Sequence, residues 1–142
     1  MVTVQTVYDA AIDLMDEQNE SNGSTKTVDT REYELRTISI LNMGIQALYP
    51  YSSNYDREAP GRPCGAVLLA EDRSRPDFTQ GIGLDDALCI GLLPYFLASL
   101  LRAGEDTEFS MRMMQEYNTA LVLLRDKVPA EFEAISTPYG LF

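Results

Sequence analysis

Fifteen consecutive uncharged residues, Ala87 through Leu101, sit between the acidic pair Asp85/Asp86 and Arg102, with a second acidic pair at Glu105/Asp106. This run constrains the fold more than any other stretch. It falls short of the ~18 to 20 apolar residues that span a bilayer, and Gly91 and Pro94 interrupt it. It therefore reads as a core helix surrounded by other elements of its own chain or of a neighbouring subunit. Asp85 or Asp86 caps its start, Pro94 kinks it or begins a fresh turn after a break at Leu93, and Gly104 ends it.

The rest of the chain supplies the helices that would surround this core. Thr3 caps a first helix reaching about Glu17, with Val4, Val7, Ala11, Ile12, Leu14 and Met15 as its apolar face. The polar stretch from Asn19 to Thr27 ends it. Asp29 and Glu32 have the spacing of a capping box and open a second helix to about Tyr49, with a buried stripe of Leu35, Ile38, Leu41, Ile45 and Leu48. Pro50 stops it. A last helix runs from Glu105/Asp106 to about Lys127, with Phe109, Met113, Tyr117, Ala120, Leu121 and Leu124 on one stripe and charges that follow the helix dipole.

Residues 50–82 differ in kind. Four prolines, several glycines and mixed charges leave no helical period, so this segment is expected to be a projecting loop. Within it the short apolar runs 66–70 and 78–84 are candidates for a small β-hairpin. The expected fold is thus mainly α: about a four-helix bundle with a long loop or small hairpin inserted between helices 2 and 3. Residues 1–128 form one domain containing the 50–82 insertion. Residues 129–142 form a tail whose Phe132, Ile135, Tyr139, Leu141 and Phe142 make it apolar enough to dock on a partner.

Charge and missing residue types narrow the chemistry. With 142 residues the chain is long enough to bury roughly two-thirds of its unfolded surface. A net charge of −11 opposes nonspecific binding to DNA or an anionic membrane. The N-terminal MVTVQTVYDAAIDL has no basic run followed by an apolar stretch, so neither a signal peptide nor a membrane anchor is expected. The absence of histidine removes the commonest general base and metal ligand. Cys64 and Cys89 cannot form a four-ligand zinc site by themselves, and both are expected to be reduced. The two acidic pairs sit at helix starts, where capping explains them, and Gln80-Gly81-Ile82-Gly83 lacks the Lys-Ser/Thr of a phosphate loop. No catalytic, cofactor or metal site is expected.

Candidate contact residues remain. Arg57, Arg62, Arg73 and Arg75 gather basic charge in the insertion, although Asp56, Glu58, Glu71, Asp72 and Asp77 are interleaved with them and also fit a self-neutralising solvated loop. In the tail, Phe132, Tyr139 and Phe142 are the candidate contacts. Tyr49, Tyr51 and Tyr55 fit a contact patch or a cover over a helix end. Met43, Met111, Met113 and Met114 fit a core or an adaptable interface.

The run LPYFLASLLRAGEDTEFSMRMMQEYNTAL, residues 93–121, resembles the small head-tail connector (adaptor) proteins of tailed phages and prophages of Gram-positive bacteria. Leu93, Pro94, Tyr95, Leu97, Ala98, Leu100, Leu101, Glu105, Asp106, Phe109 and Tyr117 occupy the places of that group's pattern. The first two helices agree in order only, and Gly104 and the arginine-bearing insertion depart from it. The resemblance implies a structural virion protein, made in the host cytoplasm and located in the neck. Its subunits would form a homo-oligomeric ring between the portal protein and a tail or stopper protein, letting DNA pass without specific binding. In such a ring the acidic first helix would place Asp9, Asp13 and Asp16 toward the channel, where carboxylates repel the DNA backbone. The competing reading is an acidic intracellular protein that occupies a basic protein surface. A third, a carboxylate-Mg²⁺ enzyme, requires acids converging from several helices.

Overall fold

The computed structural model describes residues 1–15, 30–53, 55, 68–72 and 74–127, the last three as backbone only. Its helices are α1 (Val4–Met15), α2 (Arg31–Leu48), α3 (Asp86–Gly91), α4 (Leu93–Arg102) and α5 (Thr107–Lys127), with a 3₁₀ turn at Tyr49–Tyr51. Among the described residues 70% are helical, which makes the molecule a mainly α bundle. The expected core helix is two helices. The chain breaks at Leu92 (φ −123°, ψ −47°), and Pro94 lies in the first turn of α4, where its missing N–H costs nothing.

Helix α4 is the centre of the bundle and packs against α1, α2 and α5. Its Leu93, Leu97, Ala98 and Leu101 are buried, as are Val4, Val7, Tyr8, Ala11, Ile12 and Met15 of α1 and Ile38, Leu41, Ile45 and Leu48 of α2. The uncharged run is not enclosed along its whole length, however, because Ile90 at the end of α3 is 62% exposed. The expected stripes need two further corrections. Leu14 and Leu35 face outward, while Tyr8 and Tyr33 are buried in their place. In both helices the aromatic lies on the core side of the 3.6-residue period and the leucine on its edge. On α5, Met113 and Tyr117 are buried, and Phe109, Ala120, Leu121 and Leu124 pack against the core as expected.

Close approach of α2 to α4 depends on a glycine. A Cβ at Gly44 would lie 2.9 Å from Leu93 Cδ2 and 3.0 Å from Phe96 Cδ1. Helices α4 and α5 are stitched reciprocally: Ser99 Oγ donates to the Ser110 carbonyl (2.9 Å), and Ser110 Oγ donates to the Ser99 carbonyl (2.8 Å). Two arginines close helix C-termini, where carbonyls lack partners. Arg102 donates to the Met15 carbonyl at the end of α1, and Arg36 to the Leu101 carbonyl near the end of α4.

Of the segment between α2 and α3, the described residues 68–72 and 74–85 contribute to the core, while 54, 56–67 and 73 of the expected projecting loop lie outside the described residues. Leu69, Phe78, Ile82 and Leu84 are buried. The run 78–84 pairs with the chain's own N-terminus; of the other run of the expected hairpin, residues 66 and 67 lie outside the described residues. Val4 N–H donates to Gln80 O (3.0 Å), Gln5 N–H to Phe78 O (2.9 Å) and Ile82 N–H to Val2 O (2.8 Å). Among the described residues there is no strand, only an antiparallel bridge between Thr3 and Gly81. These bonds satisfy two amides at the start of α1 that have no intrahelical acceptor, and a third, Thr6 N–H, donates to Thr3 Oγ1 (3.4 Å). Side-chain amides hold the other run. Asn42 brackets Leu69 through both its oxygen and its nitrogen, and Gln80 does the same for Ala70.

Capping also differs from expectation in part. The residue before α2 is Thr30, which makes no side-chain capping bond, and Asp29 lies outside the described residues. Asp85 occupies the cap position of α3, but its carboxylate accepts from the Ser53 amide (3.0 Å) and hydroxyl (2.7 Å) instead of from the helix. Asp106 does cap α5, accepting from Phe109 N–H at 3.0 Å.

Candidate functional site

The acidic face of α1 is the part of the expected site that the described residues hold together. Asp9 and Asp13 are four residues apart and so share one side of the helix. Asp9 is half-buried and accepts from Gln5 Nε2 at 2.6 Å, whereas Asp13 is exposed. Asp16 lies outside the described residues. The Asp13 carboxylate stands at the edge of a cleft of about 410 Å³ between α1 and the α3–α4 break, lined also by Ala10, Leu14, Ile90, Pro94 and Tyr95. Chemically, an apolar floor with one carboxylate at its rim suits an apolar side chain flanked by a cation. Exposed Ile90 is the residue that sequence reasoning missed here. Its signal was the break: a proline four residues on cannot donate to the Ile90 carbonyl, so the helix ends and its last turn turns outward.

The expected arginine cluster is not assembled by what is described. Arg75 is exposed, on a turn whose backbone N–H donates to the Asp72 carbonyl. Glu71, Asp72 and Asp77 are exposed on the same segment. Hydrogen bonds from Ser74 hold the Asp72 carboxyl below its ordinary range, and those from Thr79 do the same for Asp77. Arg57, Arg62 and Arg73 lie outside the described residues, as do Phe132, Tyr139 and Phe142 of the tail. Tyr49 and Tyr51 pack against the core, and Tyr49 meets Tyr55 edge-on with ring centroids 5.0 Å apart.

Buried titratable groups are structural in character. Burial pushes the Tyr8 phenol up to about 12 despite its hydrogen bond with the Thr30 side chain. Burial also pushes the Cys89 thiol up to about 11, with Asp86 and Asp85 adding to the effect; Cys64 is outside the described residues. A thiol so poised is a poor nucleophile. Glu105 accepts from the Tyr33 hydroxyl and lies 3.7 Å from Arg102 Nε, tying the α4–α5 turn to α2. Among the described residues no group of three or more acids or cysteines is placed to hold a metal ion, and no helix is long and apolar enough to cross a membrane.

One further surface stands out. The side of α5 opposite its core stripe is open, with Met111 (68% exposed), Val122 (51%) and Leu123 (58%) presented to the outside. Met113 and Met114, by contrast, pack inward or along the flank, so the expectation of core or interface divides among the methionines of one helix. No protein-family model matches the chain, and neither a curated protein nor a solved structure matches it.

Proposed function

We propose that this chain is a structural component of a tailed-phage or prophage neck. Its subunits form a ring between the portal and a tail or stopper protein, and DNA passes through without being bound specifically. The observation that carries the reading is the position of the connector-like run, residues 93–121. It coincides with one helical hairpin, α4 and α5, and its matched residues do structural work there. Leu93, Pro94, Leu97, Ala98, Leu101 and Tyr117 are buried at its contacts. Glu105 and Asp106 build the turn between the two helices. The pattern is therefore one of packing, as a family-wide scaffold would require.

The charge of −11 fits a conduit, because carboxylates lining a channel repel phosphates. Asp9 and Asp13 on the outer side of α1 are our candidates for that lining, with the adjacent Ile90 cleft meeting a neighbouring subunit. The role is mechanical and uses no reaction, cofactor or metal. The same charge also favours the second reading, an acidic protein that occupies a basic protein surface. Native mass spectrometry of the chain mixed with the portal protein of its own genome separates the two. A closed ring of fixed copy number on the portal supports the neck role. No association with the portal, in conditions where the chain binds a basic protein in a salt-sensitive way, supports the second reading.

A further inference from the structure

Two surfaces among the described residues combine exposed apolar groups with charge. One is the cleft between α1 and the α3–α4 break, where Leu14, Ile90, Pro94 and Tyr95 stand beside the exposed Asp13. The other is the outer face of α5. Near its start the exposed Met111 has Glu108 and Arg112 beside it, and polar residues at 115, 118 and 119 separate this end from Val122 and Leu123. We infer that Met111 of one copy enters the Ile90 cleft of a second copy, with Arg112 pairing to Asp13 there, as a head-to-tail contact repeated from subunit to subunit.

Shape and charge together select this pairing. Of the described helical residues, Met43, Ile90, Met111, Val122 and Leu123 are apolar and more than half exposed, and Met111 alone among them is followed by a basic residue. Helix α1 contains no basic residue, so a cation for Asp13 has to come from outside it. Glu108, one turn before Arg112, does not prevent the pairing, because a guanidinium has enough N–H donors for two carboxylates. The cleft of about 410 Å³ has room for one unbranched side chain, and methionine adapts to an irregular floor. Two copies of net charge −11 repel each other, which favours the orientation that brings a cation to a carboxylate. The two surfaces are different, so the contact is heterologous: each subunit gives Met111 and receives at Ile90, and such contacts close into rings where the rotation allows. The inference rests on the neck reading and deepens it by naming what meets the Ile90 cleft; Asp13 then serves the contact and Asp9 the channel.

The test is photo-crosslinking of the full chain carrying Gln115→p-benzoylphenylalanine, one helical turn from Met111, irradiated as a mixture of ¹⁴N- and ¹⁵N-labelled protein with and without the portal protein of its own genome. Mixed-isotope crosslinks from position 115 to residues 10–14 or 90–95 are expected. Reversing either charge, by Asp13→Arg or Arg112→Asp, should lower their yield roughly tenfold, and the two reversals together should restore it, with helicity unchanged throughout. Crosslinks confined to one isotopic chain, crosslinks to α5 of the second copy, or none between copies in either mixture overturn the contact, as does a double reversal that stays as low as the single ones. The neck reading fails on a different observation. Head-to-tail crosslinks without any association with the portal leave the contact standing and remove the neck role, whereas portal-bound rings whose crosslinks map elsewhere keep the neck role and overturn the contact.

Discussion

Gly44→Ala is the perturbation whose sign depends most directly on how α2 meets α4. On an open helix surface this change is stabilising by ~1 kcal/mol, since glycine costs about that much against alanine. At Gly44 the new Cβ would stand 2.9 Å from Leu93 Cδ2 and 3.0 and 3.2 Å from two atoms of the Phe96 ring, where carbon pairs prefer ~3.5 to 4.0 Å. Neither neighbour yields easily. Leu93 is fully buried, and the Phe96 ring is held edge-on against Tyr117 at 5.3 Å between centroids. Overpacking of this kind costs ~1 to 3 kcal/mol. Set against the propensity gain, the expected net effect is a loss of about 1 kcal/mol, or roughly 3 to 5 °C in Tm for a chain of this size. Gly91→Ala is the control: it is also helical, but nothing lies within 4 Å of its added Cβ, so a gain of up to about 1 kcal/mol is expected. Urea and thermal unfolding of the two variants beside the parent decide the matter. If Gly44→Ala stabilises as much as Gly91→Ala, α2 does not approach α4 at this point and the packing described here is wrong.

Leu97→Asp places a charge at the fully buried centre of α4 and should cost several kcal/mol; unchanged helicity and solubility would show that the core lies elsewhere. Asp106→Ala removes the acceptor of Phe109 N–H and should cost ~1 kcal/mol, whereas Asp106→Asn should retain most of it; equal losses in urea unfolding would mean that charge, not the cap, is what matters. The Tyr8 phenol and Cys89 thiol are both raised in the folded chain, to about 12 and about 11. Above their ordinary pKa values the unfolded chain releases protons that the folded chain retains. Stability should therefore be intact at pH 8 and fall steadily from about pH 9 to pH 12, less steeply for Tyr8→Phe, and a flat profile would contradict their burial. Asp9→Asn with Asp13→Asn should leave thermal stability within about 0.5 kcal/mol, since the Asp9 carboxylate accepts from Gln5 in its own helix turn, a bond an amide oxygen can keep, and Asp13 is exposed; unfolding would place these carboxylates in a structural role.

The elements that could be read from sequence were those whose signal is local and periodic. The stripe of α5 and the stop of α2 at Pro50 are of this kind, as is the central position of Leu93 to Leu101. What could not be read depends on distant partners. Residues 78–82 pair with residues 2–5, and no repeat or turn between them announces an isolated bridge. Asn42 and Gln80 bracket backbone 27 and 10 residues away through side-chain amides, which leave no pattern in the sequence. Asp85 shows the limit for the site as well: its place before α3 was legible, yet Ser53 takes both carboxylate oxygens, and only the fold brings Ser53 there. Similarly, the acidic face of α1 could be read from spacing alone, while the cleft beside it required the α3–α4 break to turn Ile90 outward.

The proposed neck role is tested by quantitative mass spectrometry of purified, tailed particles of a phage or prophage whose genome encodes this chain. The account predicts its presence at a fixed multiple of the portal protein. Its absence from intact, tailed particles would contradict the account and favour a protein that acts on a basic partner outside the particle.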